Sequence, residues 1–126
     1  MRLTELHWTN RFVESLPGDP ERKNFVRQVR GVSYSPVHPS PVRAPKLLGW
    51  SDELAAELGG IARPEAGSPE LEILAGNRVL PEMRPYAARY GGHQFGHWAR
   101  QLGDGRAITL AEAPVGPTGK TEFQLK

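Results

Sequence analysis

The sequence predicts an α+β fold, rich in loops at first and sheet-forming in its last third. Three observations carry this. Two short windows combine a serine cap, an apolar face and a glycine stop, as helices do. Two later runs, Ala107-Ile108-Thr109-Leu110 and Thr121 to Lys126, read as strands joined by a turn over Pro114 to Gly119. Finally, 14 glycines and 12 prolines in 126 residues are interleaved with Leu, Ile, Val and Trp, which suits a folded chain with many turns.

Taken in order, residues 1 to 16 carry Leu3, Leu6, Trp8, Phe12, Val13 and Leu16, a spacing that fits a short helix or an irregular segment with an apolar side. Pro17-Gly18-Asp19-Pro20 breaks it. Partial alternation of apolar residues predicts a strand near Val29 to Tyr34. Pro36, Pro39, Pro41 and Pro45 then keep the chain extended, because each fixes its own φ and biases its predecessor away from helix. That stretch suits a wrapping segment, a flexible linker or a ligand for a proline-reading domain. The clearest helix covers 51 to 58. Ser51 caps it, Asp52 and Glu53 suit the positive end of its dipole, and Leu54, Ala55 and Leu58 form the apolar face before Gly59-Gly60. A second helix is expected over 69 to 75, with Ser68 as cap and Gly76 as stop. A boundary near residue 80 separates an N-terminal wrapping segment with short helices (1–80) from the start of a glycine-rich β-hairpin sheet (81–126).

Composition narrows the function. The formal net charge is +2 and the basic residues are scattered, which argues against a nucleic-acid partner. With no cysteine, a disulfide framework and a cysteine-based zinc site are excluded. No apolar run approaches a membrane span, and no apolar signal core follows Met1-Arg2-Leu3. A cytoplasmic protein without a membrane partner is the expectation.

The chemistry centres on Gln101-Leu102-Gly103-Asp104-Gly105-Arg106-Ala107. Glycine lets a phosphate approach the backbone, and an arginine grips it with a planar fork. Lys126 follows twenty residues after Arg106 at the end of a strand, and a strand lysine facing a glycine loop is how kinases hold nucleotide phosphates. Spacing alone leaves two readings open, a phosphate-binding loop and an ordinary hairpin turn.

Tyr90-Gly91-Gly92-His93-Gln94-Phe95-Gly96-His97-Trp98-Ala99 followed by Gln101 to Ala107 resembles the signature of the SelO family, also called YdiU or selenoprotein O. Gly76 to Leu80, Pro85-Tyr86-Ala87, Ser51 to Ala55 and Leu16 to Pro20 resemble it too, so the likeness runs through essentially the whole chain. The resemblance implies the N-terminal part of a protein-kinase-like fold that transfers AMP from ATP to Ser, Thr or Tyr hydroxyls of proteins. It implies ATP binding by Gly103, Gly105 and Arg106 of the loop and by Lys126 in the Gln-Leu-Lys motif. It also implies Mg bridging the phosphates. The catalytic aspartate and the metal ligands of the family fall after Lys126, so no catalytic or metal residue is assigned within 1–126. The expectation is an inactive isolated chain that binds ATP weakly; the alternative is a non-catalytic remnant or protein-interaction module of the same fold.

Other residues invite competing readings. Asp104 suits a turn, and Glu112 and Glu122 are expected to be solvated on their strands. His93 and His97 are four apart, but glycines argue against a shared helix face and no third zinc ligand is evident. Phe95 and Trp98 are expected to be core aromatics.

Overall fold

The computed structural model describes residues 1–103 and 105–126. It is a mixed α+β arrangement of short helices around antiparallel sheets. A 3-10 turn at Leu3–Glu5 precedes α1 (Arg11–Ser15), β1 (Tyr34–Pro36), α2 (Asp52–Glu57) and α3 (Pro69–Leu74). Then come β2 (Tyr86–Ala88), β3 (Tyr90–Gln94), β4 (His97–Leu102), β5 (Ile108–Ala113) and β6 (Thr121–Leu125). The main sheet runs β1-β2-β5-β6, and β3 pairs with β4 in a separate two-stranded sheet.

Both expected helices form where their caps dictate. Ser51 Oγ accepts from the Leu54 N–H at 3.1 Å, and Ser68 Oγ accepts from the Leu71 N–H at 3.2 Å. Each satisfies an N–H that the first helical turn leaves orphaned. The expected strand near Val29 to Tyr34 is displaced: β1 begins only at Tyr34 and pairs with β2 through Tyr34↔Ala88 and Pro36↔Tyr86. The backbone of Val29 is engaged elsewhere, by the side-chain amide of Gln101. Pro36 is tolerated because β1 is an edge strand. The proline-rich stretch that follows is held by Asn77, which accepts from the Val42 N–H at 2.6 Å and donates to the Val42 carbonyl at 2.9 Å.

The N-terminal segment prolongs the pairing of β5. Thr9 and Glu112 exchange backbone hydrogen bonds of 2.8 and 2.9 Å. This brings Leu3, Leu6 and Trp8 over the sheet, where they join Ile61, Ile73 and Leu110 in one buried cluster. The Trp8 ring meets Phe123 of β6 edge to face at 5.0 Å, a favoured aromatic geometry. A second cluster stacks Phe12 on Tyr86 at 4.7 Å and sets Tyr34 edge-on to both. Segments on both sides of residue 80 contribute to the larger cluster.

One polar expectation and one aromatic expectation change. Glu112 is buried, at 5% exposure. It accepts from Arg11 Nε at 2.9 Å and from the Phe12 N–H at 3.1 Å, so its carboxylate caps α1 where Asn10 makes no side-chain cap. The usual outward polar face of a strand is here covered by the N-terminal arm. Glu122 is exposed, as expected. Phe95 and Trp98 are not core residues: they are 97% and 55% exposed. The β3–β4 sheet joins neither buried cluster, so its aromatics have nothing to pack beneath.

Leu110→Ala removes one of the most buried side chains and should lower the unfolding free energy by about 2–5 kcal/mol. Ser51→Ala, on an exposed helix end, should lower it by about 1 kcal/mol. Urea melts of the two variants check the order.

Candidate functional site

β3 and β4 are joined by the two-residue loop Phe95-Gly96, since Gln94 pairs with His97. Both loop residues have positive φ, at 50° and 80°, as a primed hairpin turn requires. At the other end of β4 the chain leaves the small sheet and enters β5 of the main sheet. Gly103 makes that crossing at φ 113°, and a Cβ placed there would lie 2.1 Å from the Ala88 carbonyl oxygen. No side chain fits, because the obstacle is backbone. The loop is therefore not the tip of a hairpin between paired neighbours. It is a crossing pinned against the end of β2.

This crossing borders a cavity of about 720 Å³. Gly103, Arg106 and Lys126 all line it, together with Arg27, Arg89 and Gln101. The structure thus gathers three of the four sequence-selected residues around one space. Gly105, at φ 92°, lies off the lining and faces Asn24, whose Nδ2 would be 2.8 Å from an added Cβ. Asp104, read as a turn residue, lies outside the described residues. The described lining includes four cationic side chains, Arg27, Arg89, Arg106 and Lys126, and no carboxylate side chain. Its charge suits an anion, and its volume falls in the usual range for small-molecule sites.

Sequence reading missed the wall formed by residues 27–28 and Arg89. Gln28 and Gln101 clasp the two segments: Gln28 Nε2 donates to the Gln101 carbonyl at 3.1 Å, and the Gln101 N–H donates to Gln28 Oε1 at 3.2 Å. The Gln101 side chain reciprocates on the Val29 backbone at 2.6 and 2.7 Å. Behind this wall sits Asp19, 7% exposed. It accepts from Ser35 Oγ at 2.7 Å, from the Glu21 N–H at 3.0 Å, and from Arg27. Burial alone would raise its carboxyl pKa, but these donors and the Arg27 charge outweigh it and hold the carboxyl below the usual range. Arg89 donates from Nε to Ser35 Oγ at 2.9 Å and from Nη1 to the Arg27 carbonyl at 3.1 Å. The segment Leu16 to Pro20 reads as a turn and as part of the family resemblance, and neither reading marks a charge network.

His93 and His97 stand on the two strands of the hairpin, with the His93 ring edge-on to Trp98 at 5.1 Å. Among the described residues no three His, Cys, Asp or Glu side chains could hold a metal together. The described lining of the cavity itself offers no carboxylate side chain to a Mg²⁺. No helix among the described residues is long and apolar enough to cross a membrane.

Gly103→Ala should disrupt the crossing, because the new methyl meets the Ala88 carbonyl; a drop in melting temperature with altered amide protection in β2 checks this. Asp19 has a depressed folded-state pKa. Its contribution to stability is therefore full above the unfolded carboxyl value of about 3.9 and is lost as pH falls through the lower folded value. Asp19→Asn should accordingly flatten the stability profile of the wild type in that acid range, as read by melts between neutral pH and pH 2.

A family model described as protein adenylyltransferase SelO matches residues 23–126. The protein nucleotidyltransferase YdiU of Nitrosospira multiformis is 61% identical over 126 residues, covering 98% of this chain and 22% of that protein. The YdiU of Aromatoleum aromaticum is 57% identical over 122 residues, 93% of this chain and 23% of its own length. That of Xanthomonas euvesicatoria is 49% identical over 124 residues, 98% of this chain and 24% of its own. The chain thus spans less than a quarter of the length of these curated relatives. The match covers the glycine crossing, Arg106 and Lys126 alike, and the chain belongs to the SelO family.

Proposed function

We propose that residues 1–126 form the ATP-binding portion of a protein adenylyltransferase with a protein-kinase-like fold. The observation that carries this reading is the convergence of the loop residues Gly103 and Arg106 with Lys126, twenty residues further on, on one cation-lined cavity. Relatives named protein nucleotidyltransferase agree with a nucleotide ligand.

In this reading Gly103, and Gly105 beyond it, let the backbone come close to the polyphosphate, while Arg106 and Lys126 offset its charge. With the terminal phosphates held there, the α-phosphorus is left facing an incoming Ser, Thr or Tyr hydroxyl of a protein substrate. The hydroxyl oxygen bonds to the α-phosphorus, the bond to the bridging oxygen breaks, and pyrophosphate leaves. The hydroxyl proton passes to a base outside residues 1–126. Mg²⁺, when bound, would neutralise phosphate charge, with ligands that also lie outside these residues.

Arg106→Ala and Lys126→Ala in the intact gene product should each raise the ATP dissociation constant about 10–100-fold, the worth of a charge-assisted hydrogen bond. Calorimetry reads the affinity, and α-phosphate-labelled ATP reads AMP transfer to protein. Unchanged binding and transfer in both variants would sink the reading in favour of a non-catalytic module.

A further inference from the structure

The cavity contains two arginines that the glycine-loop reading does not use. Arg27 lies in the irregular segment before β1, and Arg89 lies between β2 and β3. Both line the cavity. What sets them there is off the cavity. Asp19 lines a neighbouring cleft of about 590 Å³ and does not border the main cavity. Its carboxylate takes the guanidinium of Arg27 and the hydroxyl of Ser35. Ser35 is 3% exposed, and the same hydroxyl oxygen that donates to Asp19 accepts from Arg89 Nε at 2.9 Å. A hydroxyl can do both at once. Arg89 then closes the circuit on the Arg27 carbonyl.

We infer that Asp19 is a positioning residue for this cavity: it fixes Arg27 directly and Arg89 through Ser35, so that both arginines hold their positive charge at the wall beside which the phosphates of a nucleotide would sit. The inference rests on the nucleotide reading above and adds to it a second cationic wall, built from residues far from the glycine loop. The physical reason is preorganisation. An unrestrained arginine has rotamer entropy to lose when it is held beside a phosphate; one already fixed by a buried carboxylate loses less. A carboxylate placed behind the guanidinium, away from the ligand, holds the side chain without repelling phosphate. Asp19 touches no ligand atom in this arrangement and acts only through the arginines.

The test compares ATP with adenosine, which shares the base and sugar but has no phosphate. In the intact protein, Ser35→Ala breaks the relay without leaving a buried charge unpaired, and Asp19→Asn weakens its centre. Circular dichroism first confirms that each variant folds; Ser35→Ala alone suffices if Asp19→Asn does not. The expected result is an ATP dissociation constant raised about 5–20-fold with that of adenosine unchanged. Arg89→Gln should show the same pattern, and the double variant Ser35→Ala/Arg89→Gln should be no worse than Arg89→Gln, because Ser35 acts through Arg89. Equal loss for ATP and adenosine would mean a merely structural role and overturn the inference. So would unchanged ATP binding, or effects of the two substitutions that multiply. If the wild-type protein binds no ATP, the functional reading falls and this inference with it; binding by wild type and variants alike removes the inference alone.

Discussion

The buried carboxylate of Glu112 joins the two ends of the described chain. Its backbone pairs with Thr9, and its side chain receives Arg11 Nε and the Phe12 N–H. A charge buried on β5 is costly unless it is matched. Here the matching groups come from the N-terminal arm, so the segment that buries the carboxylate is also the one that satisfies it. The Arg11 side chain is about half exposed, so solvent screens its share of the pair, and the Phe12 N–H supplies the more enclosed contact. The placement of Leu3, Leu6 and Trp8 over the sheet follows from this attachment, and with it most of the larger core.

The cavity depends on a different kind of constraint. At Gly103 the backbone passes so close to β2 that the presence of any side chain is excluded. Contact with β2 also fixes Arg89, which follows that strand directly, while Gln101 on β4 clasps the segment carrying Arg27. Cations from four separate stretches of sequence therefore meet through a steric contact on one side and amide and carboxylate networks on the other. Such a site needs no long helix or deep core. It needs several short connections to hold at once.

Much of the local structure was legible in the sequence. The serine caps located α2 and α3, and apolar runs located β5 and β6, because these signals are complete within a few residues. The glycine crossing, Arg106 and Lys126 were singled out from motif and resemblance, and the structure brings Gly103, Arg106 and Lys126 to one cavity. What sequence could not supply was anything decided by distant partners. Val29 reads as a strand residue until Gln101, 72 positions away, takes its backbone bonds. Glu112 reads as solvated because strands usually leave one face wet, and only the return of the N-terminal arm covers it. Phe95 and Trp98 read as core because large aromatics usually are, yet their hairpin stands apart from both clusters. Asp19 reads as part of a turn and Arg89 carries no motif; their joint meaning lies in Ser35, which sits between them in space.

The attachment of the N-terminal arm also bears on how the chain comes to be folded. The bonds from residues 9 to 12 onto Glu112 span 100 to 103 positions. During synthesis the arm has no place to dock until β5 has left the ribosome. At about 5–20 residues per second, that is a wait on the order of 5–20 s. Leu3, Leu6 and Trp8 are made about a hundred residues before β5 and are buried only after it arrives. Long-range closure of this kind is intrinsically slow, and it leaves these apolar residues of the nascent chain uncovered in the meantime. The same carboxylate that locks the finished structure thus sets the interval in which the unfinished one depends on chaperones or dilution to stay apart from its neighbours.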